Sequence, residues 1–380
     1  MLSYPRIFIA AGEHSGDRFG AALAEAILRR CPEARLSGLG GARMGRAGVR
    51  LLDDTVSHAG MGFFYTLKGI NDWARIFRRC VAAFNHEAPD VIVPIDNPGF
   101  NLRLAEFARE VNTPVCYYVS PQVWAWLPRR IHRIGRLVDR MMTILPFEKR
   151  LYDEIGVDCR YVGHPMLDYM PKLELDEAFI RALHEGGATM VGLLPGSRRQ
   201  EVRHTFPILC DAALELQRDL PGVTFHVGAA DAKHLGEIES VLRSKGLSAA
   251  VHLGRTAEIM KGARLCLIVS GTATLETAFY RTPMVVVYRV GAWARHLAPR
   301  MLQVSHISLV NIIAGREAAP EFLKFDDDAR PVARAAYRLL TDQAAWDKCR
   351  QSLDEVITAL GPSGSSDRAA EAVLEMVPGK

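Results

Sequence analysis

The sequence lacks any apolar run approaching the roughly 20 residues of a membrane-spanning helix. A protein built on such helices is thereby excluded. The apolar stretch at residues 7–11 is too short for a secretory signal and soon meets Glu13 and Asp17, so a first strand is expected there rather than a leader. Cysteine is sparse: there are seven, scattered, with no Cys-x-x-Cys pair. That excludes a disulfide framework and fits a reducing cytoplasm. The 12 histidines include no His-x-x-x-His, and no metal centre is expected. Residues 38–43 approach the dinucleotide fingerprint Gly-x-Gly-x-x-Gly but carry Arg43 at the third glycine, and no Gly-Lys-Ser/Thr marks a Walker-type loop. A nucleotide cofactor is therefore not expected. Asp326, Asp327 and Asp328 lack a preceding apolar strand and read as a loop. Net charge is only +4, which neither requires nor forbids nucleic acid or an anionic membrane surface.

What the chain does have is regular alternation. Hydrophobic residues make up 49% of its 380 positions and charged residues 24%, the balance of a folded chain long enough for two domains. Short apolar runs at residues 6–11, 91–95, 115–119, 142–145, 190–194, 224–227, 265–269 and 284–287 are separated by longer helical patterns. Such spacing predicts βαβ units, parallel sheets and an α/β fold. The halves repeat one layout. Each opens with a strand and a Gly/Ser turn, at 12–17 and 195–198, and each later has a strand ending in a polar turn, at 96–99 and 270–272. Two facing Rossmann-like domains with mainly parallel sheets are expected, over 1–170 and 171–345, with a helical segment at 346–380 and a charged connector at 172–187. Ligands of such folds sit beyond the carboxyl ends of the strands.

Ser270, Gly271, Thr272 and Thr274 form a small-residue turn between an apolar strand and a helix start. Backbone N–H groups in such a turn meet the positive end of a helix dipole, which favours an anion. Glu276, one turn into the helix, is placed to accept from sugar hydroxyls, so the loop suggests a nucleotide-sugar. Gly196, Ser197 and Arg198 follow another strand, and arginine matches phosphate geometry with a bidentate fork. Gly12, Glu13, Ser15, Gly16 and Asp17 close the first strand and read either as an anion or hydroxyl site or as a plain turn. Asp96 ends an apolar strand and reads either as a general base, with Asn101 nearby, or as an Asx turn or cap. Gln122, Trp124 and Trp126 follow a strand, the rings walling a ligand or packing in a core. Arg129, Arg130, Arg133 and Arg136 make a basic stripe whose simpler reading is a solvated face. Met61, Phe64, Leu67 and Ile70 lie near helical spacing beside basic residues, with Trp73 and Phe77 following, as in a lipid-facing or a core-packed helix. His164, near the expected hinge, contacts a ligand or caps the connector.

Taken together, the stretches 12–17, 38–48, 96–101, 119–126, 145–148, 161–165, 193–198, 270–276 and 308–311 resemble those of the lipid-A-disaccharide synthases, inverting glycosyltransferases of GT-B architecture (family 19). The resemblance covers nearly the whole chain. It implies transfer of a sugar from UDP-2,3-diacylglucosamine to the 6-hydroxyl of 2,3-diacylglucosamine 1-phosphate, giving a β(1→6) disaccharide 1-phosphate and UDP. No metal or cofactor, no nucleic acid and a peripheral place on the inner face of the inner membrane are implied as well. By resemblance Asp96 and Arg198 are catalytic. Gly196, Ser197, Ser270, Gly271, Thr272, Thr274, Glu276 and Asn311 bind the donor. Gly12, Glu13, Ser15, Gly16, Asp17, Met61, Phe64, Asn101, Gln122, Trp124 and Trp126 bind the acceptor and its acyl chains. The C-terminal segment is expected to cross back to the first domain, or to exchange between subunits of a homodimer. The chain departs from the family pattern at His14, Tyr65, Gly99 and Lys324, mostly on the acceptor side. Rival readings are another GT-B transferase, a UDP-sugar epimerase or a non-catalytic acyl-sugar binding protein; a dinucleotide oxidoreductase ranks last.

Overall fold

The computed structural model describes residues 4–56, 67–125, 128–185, 187–290, 305–324 and 326–377. They form two compact units, one of Met1–Tyr169 with Leu360–Lys380 and one of Met170–Ala359. The first holds a sheet of β1 (Arg6–Ala11), β2 (Arg35–Gly40), β3 (Arg50–Asp54), β4 (Val91–Ile95), β5 (Cys116–Tyr118), β6 (Arg140–Thr143) and β7 (Asp158–Tyr161), in the order β3-β2-β1-β4-β5-β6-β7. The second holds β8 (Thr189–Leu194), β9 (Val223–Ala229), β10 (Ala250–Leu253), β11 (Leu265–Val269), β12 (Met284–Arg289) and β13 (Glu321–Lys324), in the order β10-β9-β8-β11-β12-β13. Both sheets are parallel, with helices between their strands, as the alternation predicts. Strands β4 and β11 are buried along their whole length, which is why they read as unbroken apolar runs.

Every expected run is a strand, within two residues at each end. Five further strands, β2, β3, β7, β10 and β13, carry exposed or half-buried positions that dilute their apolar signal. In β2 the glycines that suggested a cofactor fingerprint serve packing: a Cβ on Gly38 would collide with the backbone carbonyl of Ile9. Pro94 donates no ladder bond, and pairing of β4 with β5 is confined to Ile92↔Val115 and Ile95↔Tyr118.

One expectation is corrected and one open alternative is decided. Residues 172–187 are more than a connector. They contain the helix Glu177–Ala182, capped by Asp176, which accepts from Phe179 N at 2.9 Å, and pinned by Lys261 to Glu177 at 2.6 Å. For Trp73 and Phe77, where a lipid-facing and a core-packed helix are both open on sequence, the core-packed reading holds. Trp73 lies 4.7 Å from Phe100, and Phe77 lies 6.0 Å from Phe107, centroid to centroid. Their helix, Leu67–His86, buries Ile76, Cys80 and Phe84 in the same cluster. Arg129, Arg130, Arg133 and Arg136 are exposed, Arg133 pairing with Glu106 at 2.7 Å. The seven cysteines are buried, and none of them is in a disulfide among the described residues.

The C-terminal helix Ser365–Leu374 belongs to the first unit. Asp168 accepts from Gly364 N at 2.5 Å, Ser366 N at 2.9 Å and Ser366 Oγ at 2.9 Å. Tyr161 donates to the Leu360 carbonyl and Arg368 to that of Val162, each at 2.8 Å.

Candidate active site

Each sheet has one topological switch, where the chain stops adding strands on one side and begins adding them on the other. In the first unit it lies between β1 and β4, paired through Ala11↔Ile95. In the second it lies between β8 and β11, paired through Leu194↔Ile268. Helices diverge at such a point, so a crevice opens at the carboxyl ends of the two strands. The four turns singled out in the sequence are the four turns at these ends. Residues 12–17 and 96–99 flank one switch; residues 195–198 and 270–274 flank the other.

At the first switch, Asp96 and Asn97 both adopt left-handed backbone conformations, with φ of 46° and 44°. Such conformations are uncommon outside glycine and gather where surrounding structure enforces them. Here the enforcing bonds go to the Asp96 backbone. Its carbonyl accepts from Tyr117 Oη at 2.6 Å and Asn101 Nδ2 at 2.8 Å, and its N–H donates to the Tyr118 carbonyl at 3.0 Å. Its main chain is thereby fixed at the carboxyl end of β4, and the Asp96 side chain is half-buried. Val119, at the end of the next strand, is also left-handed, with φ of 66°.

Several predicted site residues turn inward. Asn101 is 1% exposed, and its amide also donates to the carbonyls of Ala10 at 3.3 Å and Ile95 at 3.0 Å, clamping the ends of β1 and β4. The buried Asp17 carboxylate accepts from the backbone N–H groups of Gly41, Arg43 and Met44 at 2.8, 3.2 and 3.1 Å, capping the helix Ala42–Arg46. Gly16 is buried, packing against Ala11, while Glu13 and Ser15 are half-buried at the start of the helix His14–Arg30. His164 is buried and accepts from Met166 N at 3.2 Å. It thus caps the turn after β7, and burial lowers its pKa to about 4.

Gln122 is exposed and Trp124 half-buried. The Trp124 indole donates to Glu148 Oε1 at 3.0 Å and meets the Phe147 ring edge-on at 5.3 Å. Glu148 lies in the marked stretch 145–148, but the sequence gives it no role. Its signal was the same as that of Asp96, a carboxylate just beyond an apolar strand. Met61, Phe64 and Trp126 lie outside the described residues.

At the second switch, Glu201 organises the turn after β8. Its Oε2 accepts from Ser197 N at 2.9 Å and Arg198 N at 3.0 Å, around Gly196 with φ of 92°. The Arg198 guanidinium is 71% exposed, 3.7 Å from Glu201. After β11, Ser270 N donates to Val287 O at 3.0 Å and Ser270 Oγ to Ile307 O at 3.1 Å. Thr274 is buried, its hydroxyl turned back to the Gly271 carbonyl at 2.8 Å. Among the described residues the N–H groups of Gly271, Thr272 and Ala273 have no backbone partner, and Gly271 and Thr272 are exposed. That is the bare start of a helix, Ala273–Phe279, with Glu276 half-buried one turn on. Asn311 is fully buried and braces the chain by accepting from Ala318 N at 2.7 Å and Ala319 N at 2.9 Å. The missed residue on this side is Glu321, which accepts from Ile307 N at 3.0 Å, Ser308 N at 2.9 Å and Ser308 Oγ at 2.7 Å. Nothing in its local sequence marks it. Asp326 and Asp328 lie in a loop as expected, although β13 precedes them, with Lys324 2.8 Å from Asp326.

Known proteins of similar fold include the UDP-GlcNAc 2-epimerase from Neisseria meningitidis bound to UDP-GlcNAc (TM-score 0.67, 11% identity, 98% of this chain and 100% of that one). The calicheamicin glycosyltransferase is another (TM-score 0.60, 14% identity, 100% of both chains). At such identities the likeness is one of fold, the GT-B arrangement of two Rossmann-like domains. Sequence relatives are much nearer. The chain is 39% identical over 373 residues to the lipid-A-disaccharide synthase of Geobacter sulfurreducens, covering 98% of this chain and 97% of that one. It is 38% identical over 379 residues to that of Myxococcus xanthus, covering 100% and 99%. The model of the lipid-A-disaccharide synthetase family matches residues 7–376. The chain therefore belongs to the lipid-A-disaccharide synthase family.

Proposed function

We propose that this glycosyltransferase joins UDP-2,3-diacylglucosamine to 2,3-diacylglucosamine 1-phosphate, and that each switch point serves one substrate. Family membership carries the activity. The observation that carries the division of labour is that all four sequence-marked turns lie at the two switch points. Asp96 takes the proton from the acceptor 6-hydroxyl as that oxygen attacks the anomeric carbon, a role that typically contributes about 10²–10⁴-fold. The C–O bond to UDP breaks as the new one forms, inverting the anomeric centre. Arg198 and the N–H groups of residues 271–273 take up the negative charge that develops on the departing diphosphate. Glu276 holds the ribose. Asp17, Asn101, Thr274 and Asn311 act by shape, fixing the turns that meet substrate.

The protein works at the inner face of the inner membrane, where its acylated substrates reside. No described helix is long and apolar enough to cross a membrane. The test is incubation with both acylated substrates and mass analysis of products. Disaccharide 1-phosphate with equimolar UDP supports the reading. UDP release without the acylated acceptor, or a changed sugar still on UDP, supports hydrolysis or epimerisation instead.

A further inference from the structure

Among the described residues, the chemistry proposed above leaves two buried carboxylates unused, Glu258 and Glu148, and Glu148 is the one beside the turns of the first sheet. Glu148 is 2% exposed, at the end of the turn that follows β6. One oxygen accepts from Trp124 Nε1 at 3.0 Å and the other from Leu145 N at 3.2 Å. Two turns at the carboxyl end of the sheet are thus tied through a single side chain. A second tie, between Ser120 Oγ and Tyr152 Oη at 2.8 Å, runs alongside. The Trp124 ring, wedged against Phe147, has no other hydrogen bond fixing its rotation among the described residues.

Burial foremost pushes the Glu148 carboxyl up to about 7, and the Asp96 charge adds to that effect, against the bonds from Trp124, Leu145 and Ile144. The other titratable groups facing it are Tyr152 on its own helix and Cys159 and Tyr161 on β7. Burial raises all three, Cys159 and Tyr161 to about 12, so they stay neutral near pH 7. An ionised carboxylate accepts from both donors at once, and such charge-assisted bonds are about twice as strong as neutral ones. A protonated one gives an oxygen over to donation.

We propose that Glu148 is a positioning residue for the acceptor: its ionised carboxylate holds the Trp124 ring as the wall on which the acceptor sugar lies, and protonation loosens that hold. This rests on the reading that the acceptor occupies the first switch point. The acceptor then binds best above neutrality for a reason separate from the titration of its own phosphate.

The test compares the acceptor KM of wild type, Glu148→Gln and Trp124→Phe from pH 6 to pH 8.5. The phosphate titration is common to all three and cancels in the ratio. We expect the variant-to-wild-type ratio to be roughly tenfold at pH 8.5, the size of one charge-assisted bond, and to fall towards one at pH 6. The donor KM should be unmoved, and the double variant should be no worse than either single one. A ratio that stays constant with pH, or a ratio of one throughout, overturns the proposal. If Glu148→Gln gives no cooperative melt, Trp124→Phe decides alone, since it keeps the ring and loses only the donor. Asp96→Asn, assayed in parallel, reports on the reading beneath: turnover there sinks the base assignment whichever way the ratios go.

Discussion

Gly12 and Asn97 meet across the first switch point so closely that a Cβ on Gly12 would overlap the Asn97 amide nitrogen and lie 3.0 Å from its Cγ. Asn97 stands at the N-cap of the helix Pro98–Glu110 yet makes no side-chain cap bond, although asparagine is among the best capping residues. Its side chain covers the β1 turn instead. Gly12→Ala should therefore cost about 1–3 kcal/mol, as overpacking does, and should slow turnover by displacing the residue next to Asp96. Adding Asn97→Ala should recover most of the stability. Denaturant titration of the single and double variants checks this.

Glu148 also makes stability depend on pH. Its folded value, about 7, lies above the usual 4.5. Its contribution is thus fully present below pH 4.5 and is lost as pH rises through 7. Relative to Glu148→Gln, the wild type should lose about 3 kcal/mol between those limits. Urea titrations of both proteins at pH 5 and pH 8 measure it. A pH-independent gap between them would contradict the buried, late-ionising carboxyl.

The donor loop depends on Glu321 at one remove. Ser270 Oγ bonds to the Ile307 carbonyl, and the peptide on the other side of Ile307 donates to Glu321. Glu321→Gln leaves one of those donors facing an amide N–H. The donor KM should rise roughly tenfold, the scale of one bond to a charged group, with the acceptor KM unchanged. Initial-rate kinetics with each substrate varied in turn would show it.

Asp168 fastens the C-terminal helix through the N–H groups of Gly364, Ser365 and Ser366. Asp168→Ala should cost about 2–4 kcal/mol in lost charge-assisted bonds. It should raise amide exchange in Ser365–Leu374 well before the strands of the first sheet open. Mass-detected hydrogen exchange resolves the two.

The fold was legible because buried parallel strands are written as unbroken apolar runs. The outer strands were not, since β3 and β10 keep half-exposed side chains. Site turns were legible for a related reason: glycine, serine or aspartate directly after an apolar run has few purposes other than turning or binding. Side-chain direction was not. Asp17, Asn101 and Asn311 sit in the marked motifs yet face inward, because backbone groups at the strand ends compete for the same polar atoms that a ligand would use. Trp73 and Phe77 show the reverse case. Helical spacing cannot say whether an aromatic face meets lipid or protein, and here Phe100 and Phe107 supply the partner.

The central claim is that Asp96, held left-handed at the first switch point, is the base for sugar transfer. Its most direct test is a single-turnover assay of Asp96→Asn with both acylated substrates, alongside UDP binding by calorimetry. The account predicts a rate at least about 10²-fold below wild type with UDP affinity preserved. Disaccharide formed at a near-normal rate by Asp96→Asn would contradict it.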